Sequence, residues 1–148
     1  MTIYIAADHG GFKMKEMLKE YLKTGGFEVE DLGPEGYDPA DDYPDFSYNL
    51  AQAVSQDQSS LGILLCRSGQ GVSIVANKVK GIRTTLAWDK VVAVEGRRDN
   101  HANVLCLASD FVDDNEARDI TDAWLTTEPT KEERHVRRVK KIDAIESH

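Results

Sequence analysis

The densest chemistry in the chain lies in the stretch LGILLCRSGQGVSIVANK, residues 61–78. Cys66 closes a short apolar run, and Ser68, Gly69, Gln70 and Gly71 follow it in a tight, glycine-bearing turn. Leu61–Cys66 reads as a buried strand and Val72–Lys78 as a helix. A glycine loop joining a strand to a helix start leaves main-chain amides without intrahelical partners, turned outward, where they can hold negative charge. A thiol beside such amides is favoured as the thiolate. The loop thus offers a base or nucleophile next to a cradle for an anion. The same residues also admit a plainer role. Free cysteine is usually buried and inert, and glycine turns between strand and helix are common.

The surrounding elements have to position that loop. Thr2–Ala7 is strand-like and ends in Asp8-His9-Gly10-Gly11. Met14, Met17, Leu18, Tyr21 and Leu22 recur at helical spacing, which predicts an amphipathic helix over Phe12–Lys23, stopped at Gly25-Gly26. A second strand follows over Phe27–Leu32, then a polar surface loop over Gly33–Pro44 and a helix over Phe46–Ser55. Beyond the central stretch come a strand at Ile82–Ala87, a short helix at Lys90–Gly96 and a polar loop at Arg97–His101. A strand at Asn103–Ala108 and a helix at Asp113–Thr126 follow. Pro129 breaks the chain, and Thr130–Ile145 forms a last, basic helix. Strands and helices alternate throughout, so one α/β domain over residues 1–148 is expected, with a parallel five-stranded sheet covered by helices on both faces. A doubly wound order sets the first and third strands side by side, with ligands bound at their carboxyl ends. The loops that arrive there are Asp8–Gly11 and Cys66–Gly71.

Composition narrows the classes of function. The 148 residues are 41% hydrophobic and 30% charged with a net charge of −8, an ordinary globular composition. The acidic balance argues against non-specific nucleic-acid binding but leaves room for a local positive pocket. Cys66 and Cys106 lack metal-ligand spacing and fall in predicted strands, which favours a reduced, cytoplasmic setting. No run of apolar residues approaches membrane-spanning length, and no charged-then-apolar leader opens the sequence. Arg134 and Arg138, four apart on the last helix, share a face and can clamp one phosphate. They can equally be a solvated face beside Glu132 and Glu133. His9 is a phosphate ligand or else a capping or core histidine, and His135 reads as a surface or packing residue.

Taken together, DHGG after the first strand, CRSGQG after the third, ANK in the next helix, NHANVL near the fifth strand and RHVRR near the end resemble the ribose-5-phosphate isomerase B family, which includes the galactose-6-phosphate isomerase subunits. The resemblance runs from Ile3 to about Ile145. It implies a Rossmann-like αβα sandwich with a C-terminal helix extension, a homodimer or homotetramer, and aldose–ketose isomerisation of a phosphorylated sugar without metal or other cofactor. By the same resemblance Cys66 is the base that moves a proton between adjacent carbons through a cis-enediolate. The amides of Gly69, Gln70 and Gly71 hold the developing oxyanion, and Ser68 assists proton transfer between oxygens. Asp8 binds sugar hydroxyls, and His9, Arg134 and Arg138 bind the phosphate. The loop around Asn100 reaches the active site of a neighbouring subunit.

Three positions depart from the family pattern. The histidine that usually precedes Asn100, assigned to ring opening, is Asp99 here, with His101 two residues on. The arginine that commonly follows the fifth strand is Asp110. The glycine that commonly follows Cys66 is Arg67, which can replace the positive charge lost at Asp110, as can Arg97 or Arg98. Ribose 5-phosphate and ribulose 5-phosphate are the expected substrate pair. The departures raise the alternatives of a preference for another sugar phosphate, such as a hexose 6-phosphate or a tetrose phosphate, and of a non-catalytic sugar-phosphate-binding protein.

Overall fold

The computed structural model describes residues 1–146. Five strands, β1 (Thr2–Ala7), β2 (Glu28–Asp31), β3 (Leu61–Cys66), β4 (Thr84–Leu86) and β5 (Val104–Ala108), form one sheet in the order β2-β1-β3-β5-β4. Every pairing is parallel. The expected α/β sandwich and the β1–β3 adjacency are both present. β3 and β5 are buried along their whole length, which is why LGILLC and VLCLA are continuous apolar runs. β2, at an edge, shows the alternation EVED.

Five helices cover the sheet, α1 (Phe12–Thr24), α2 (Tyr43–Gln56), α3 (Gln70–Ala76), α4 (Lys90–Asn100) and α5 (Asp114–Leu125), and a sixth, α6 (Glu133–Ile145), packs against α4. Leu18 and Leu22 of α1, Ala93 of α4 and Trp124 of α5 pack on one face with Ile5, Ile63 and Leu105. Leu50 and Val54 of α2 and Val72 and Ala76 of α3 pack on the other with Leu64 and Cys106. No helix among the described residues is long and apolar enough to cross a membrane.

Three boundaries differ from the sequence reading in ways that bear on the site, the first being α2, which starts at Tyr43 inside the expected loop over Gly33–Pro44. α3 starts at Gln70, so Gln70 and Gly71 belong to its first turn. α4 runs on to Asn100, through residues expected to form a loop. Asp89 caps its start by accepting from Val92 N at 2.9 Å. At its end the Arg97 guanidinium lies over the Trp124 ring at 5.6 Å and donates from Nη1 to Ala102 O at 2.8 Å. A polar segment thereby gains apolar cover for its long stem. His101, in the left-handed conformation at φ 51°, terminates the helix.

Candidate active site

β1 and β3 end together: Ala7 pairs with Leu65, and Asp8 N donates to Leu65 O at 3.3 Å. The loops that follow meet above this edge. Cys66 is 5% exposed, and its Sγ faces the loop rather than the sheet, accepting from Gly69 N at 3.1 Å. Negative charge on the sulfur therefore meets an N–H dipole at once. Cys106 stands in contrast. It lies inside β5 with no exposure, and burial pushes its thiol far up from the ordinary value.

The loop holds its shape through its own atoms. Gly69 takes φ +69°, a conformation that side chains with a Cβ rarely adopt. Ser68 Oγ accepts from Gln70 N at 3.3 Å. A Cβ on Gly71 would lie 2.6 Å from Cζ of Tyr43, so the first turn of α2 roofs the glycine loop. Ser109 locks three loops at once. Its Oγ donates to Gly10 O at 2.7 Å, and its N–H donates to Cys66 O at 2.9 Å. Asp110 N then donates to Arg67 O at 3.0 Å. This brings the two charged departures together, with Arg67 Nη1 lying 3.9 Å from Asp110 Oδ2 and both side chains at least half exposed.

Asp8 is buried, and its Oδ1 accepts from Gly11 N at 3.1 Å. His9 stands beside it. Its ring Nδ1 is 2.7 Å from Asp41 Oδ1, and the same oxygen accepts from His9 N at 2.9 Å. The hydrogen bond to Asp41 raises the His9 pKa above its ordinary value, against a smaller effect of desolvation. Asp8, His9 and Asp41 are the one group of potential metal-ligating atoms among the described residues, all within 4.8 Å of one another. Hydrogen bonds join His9 to Asp41, while Asp8 is held separately by Gly11 N.

The other predicted residues gather at the amino edge of the sheet. Asn103 N donates to Arg83 O at 2.9 Å, just before β4, and Gly62 N, near the start of β3, donates to Asn103 O at 2.9 Å. Arg83 Nε reaches Asn100 O at 3.1 Å, and its Nη1 reaches Asp143 of α6 at 3.0 Å. Asp99 lies on the last turn of α4. Arg98 Nε and Nη2 donate to its two oxygens at 2.7 and 3.1 Å and hold the carboxyl below the usual carboxylate range. Asp99 is therefore an acceptor at neutral pH, with no proton to give. His101 Nε2 is 3.0 Å from Thr130 O. Arg134 Nε donates to Glu132 at 3.1 Å, and Arg138 is exposed on the same helix. A cleft of about 570 Å³ opens at this edge, lined by Arg83, Arg97, His101 and Asn103 among others.

One chain thus brings Asp8, His9, Cys66, Arg67, Ser68, Gly69, Gln70 and Gly71 together at the carboxyl edge. It sets Asp99, Asn100, His101, Arg134 and Arg138 at the other. β3 alone, six residues long, separates the edges by roughly 16 Å. Two neighbours of the carboxyl-edge group went unread in the sequence: Asp41, which binds His9, and Tyr43, which roofs Gly71. Nothing in the acidic segment DPADDYPD distinguishes them, because only the folded loop carries them to the site.

A parallel sheet with a thiol and a glycine loop at its switch point defines an α/β protein built to act on a small anion at the carboxyl edge. A family profile described as Ribose/Galactose Isomerase matches residues 3–142, and the chain belongs to that family. It is 41% identical over 139 residues to the ribose-5-phosphate isomerase B of Mycobacterium tuberculosis, a match covering 94% of this chain and 86% of that one. Among solved structures, ribose-5-phosphate isomerase B from Mycoplasma genitalium with bound ribulose-5-phosphate superposes with a TM-score of 0.95 at 43% identity, covering 99% of this chain and 97% of that one. The isomerase B of Clostridium thermocellum gives 0.95 at 41% identity, covering 99% and 98%.

Proposed function

We propose that this chain interconverts ribose 5-phosphate and ribulose 5-phosphate in the cytoplasm, with Cys66 as the base. The observation that carries the reading is the sulfur held 3.1 Å from the Gly69 amide at the β1–β3 switch point. A solved relative with ribulose-5-phosphate bound supports the choice of sugar. Starting from the aldose, the Cys66 thiolate removes the proton from C2, and the carbonyl oxygen on C1 takes up charge as the cis-enediolate forms. The amides of Gly69, Gln70 and Gly71 stabilise that oxygen. Ser68 passes the hydroxyl proton from the C2 oxygen to the C1 oxygen. The thiol then returns its proton to C1, which leaves the ketone at C2 and restores the thiolate. Asp8 accepts from sugar hydroxyls.

The phosphate site is assembled from both edges. His9 and Arg67 supply it from the carboxyl edge, and Arg134 and Arg138 supply it from a second copy of the chain. Within one copy the two sets sit at opposite edges of the sheet, which β3 alone separates by roughly 16 Å. Asn100 and the acid–base group for ring opening, His101 with Asp99, also come from the second copy. Arg67 Nη1 lies 3.9 Å from Asp110 Oδ2, so Arg67 offsets the negative charge of Asp110, and the net positive charge for the phosphate rests on Arg134 and Arg138.

The test is direct. Purified protein is given ribose 5-phosphate in deuterated water, and both ribulose 5-phosphate and carbon-bound deuterium are measured. Turnover with exchange is expected, and Cys66→Ala should lower both by about 10²–10⁴-fold. Binding without exchange would leave a sugar-phosphate-binding protein, and undiminished exchange in Cys66→Ala would remove the thiol from the mechanism. Hexose 6-phosphates and tetrose phosphates in the same assay rank the substrate preference.

A further inference from the structure

We infer that Asp41 is a positioning residue for the phosphate end of the site: it pins the inner edge of the His9 ring so that Nε2 is presented outward as an anion donor. The inference rests on the phosphate role of His9 proposed above. One carboxylate oxygen does two jobs. Asp41 Oδ1 accepts from His9 N at 2.9 Å and lies 2.7 Å from His9 Nδ1, so it fixes both the main chain and the ring of the same residue. The Asp41 side chain is 8% exposed, and its other oxygen, Oδ2, is buried with no partner among the described residues. A carboxylate so desolvated is costly unless it stays paired with a cation. His9 is the cationic partner within reach.

The chemistry of phosphate explains why this arrangement is useful. A phosphate dianion only accepts, so an imidazole serves it only with hydrogen on the nitrogen turned toward it. With Nδ1–H committed to Asp41, that condition requires the doubly protonated ring. Every charged group facing His9 bears on it. Asp41, from the loop before α2, and Asp8, from the end of β1, favour the cation, while Arg67, from the loop after β3, opposes it. Tyr37 closes the side of the ring edge-on at 6.4 Å. The segment that delivers Asp41 is fastened at its root, where the buried Lys15 donates to Pro34 O at 2.8 Å and to both oxygens of Asp31 at 2.9 and 2.7 Å.

Two variants of the full-length protein separate charge from position. Asp41→Asn keeps an acceptor at the ring and removes the charge, and Asp41→Ala removes both. The readouts are KM and kcat for ribose 5-phosphate, inhibition by inorganic phosphate, and the His9 ring titration followed by NMR without substrate. For Asp41→Asn, KM and the phosphate inhibition constant should rise about tenfold as pH passes above the ordinary histidine value of about 6.5, the loss of one charge-assisted hydrogen bond. Both should stay near wild type at pH 6, and the His9 titration should move to lower pH. For Asp41→Ala the tenfold weakening should hold at both pH values. In each, kcat should stay within about threefold, since the thiol and glycine loop are untouched. Asp41→Glu should recover part of the phosphate affinity. An unshifted His9 titration with unchanged phosphate inhibition in Asp41→Asn overturns the inference, as does a kcat loss with KM unchanged. The NMR and phosphate arms need no turnover, so failure of the isomerase reading would show separately, as a wild-type protein that binds phosphate but does not convert the sugar.

Discussion

The two edges of the sheet make the subunit requirement quantitative. Cys66→Ala disables the carboxyl edge of a chain, and the double variant Arg134→Ala/Arg138→Ala disables the amino-edge group. In the proposed homodimer each variant then carries two damaged sites. The first should lose about 10²–10⁴-fold in turnover. The second loses two charge-assisted phosphate contacts of about 1.5–3 kcal/mol each, which is 10²-fold or more in kcat/KM. In a mixed dimer the damage is distributed unequally. One site combines both lesions, and the other combines the intact carboxyl edge of the arginine variant with the intact arginines of the cysteine variant. Random reassociation of equal amounts yields half mixed dimers, each with one whole site, so activity should recover to about a quarter of wild type. The assay is ribulose 5-phosphate formation before and after subunit exchange by co-refolding, with each variant refolded alone as control. Activity no higher than the mean of the two parents would refute the composite site, because a site complete within one chain cannot be rebuilt by mixing these lesions.

Gly71→Ala should cost about 1–3 kcal/mol of stability, since its Cβ would sit 2.6 Å from the Tyr43 ring; a Tyr43→Ala background should remove most of that cost in a double-mutant cycle by denaturant unfolding. Lys15→Met should destabilise by about 3 kcal/mol, because it strands Asp31 and Pro34 O beside a fully buried position. Burial pushes Asp31 up, but Lys15, Lys19 and the Gly33 amide outweigh it and hold the carboxyl below its ordinary 3.8. That stabilisation is therefore present above about pH 4 and is lost as pH falls through the lower folded-state value, and wild type should show a steeper acid loss of Tm than Lys15→Met. Arg67→Gly should raise KM for ribose 5-phosphate about two- to fivefold and Asp110→Asn should lower it, both effects fading at high salt, as expected for charges this exposed.

The fold was readable because its signals are local. The β3 and β5 runs, the helical spacing of Leu18 and Leu22 and the glycines after β1 and β3 each specify an element without reference to the rest. The end of α4 was not readable. Arg97, Arg98, Asp99 and Asn100 look like a loop until Trp124, from another helix, supplies the ring on which Arg97 lies. Asp41 and Tyr43 stayed hidden for a related reason. Their partners, His9 and Gly71, lie tens of residues away, and an acidic loop carries no periodicity that would reveal which carboxylate turns inward.

The proposed division of the site between two copies follows from chain direction. In a parallel sheet every strand-to-helix loop falls at the carboxyl edge and every helix-to-strand connection at the amino edge. Asp8–Gly11 and Cys66–Gly71 are of the first kind, and the segment from Asp99 to Asn103 is of the second. α6 joins the second group because Thr130 N donates to Arg98 O at 2.9 Å and His135 Nε2 lies 3.9 Å from Asp99. No rearrangement of side chains can carry a residue across the length of a strand. A reaction that uses Cys66 together with Arg134 therefore requires the carboxyl edge of one copy to face the amino-edge group of another, which is why the proposed catalytic unit is a pair.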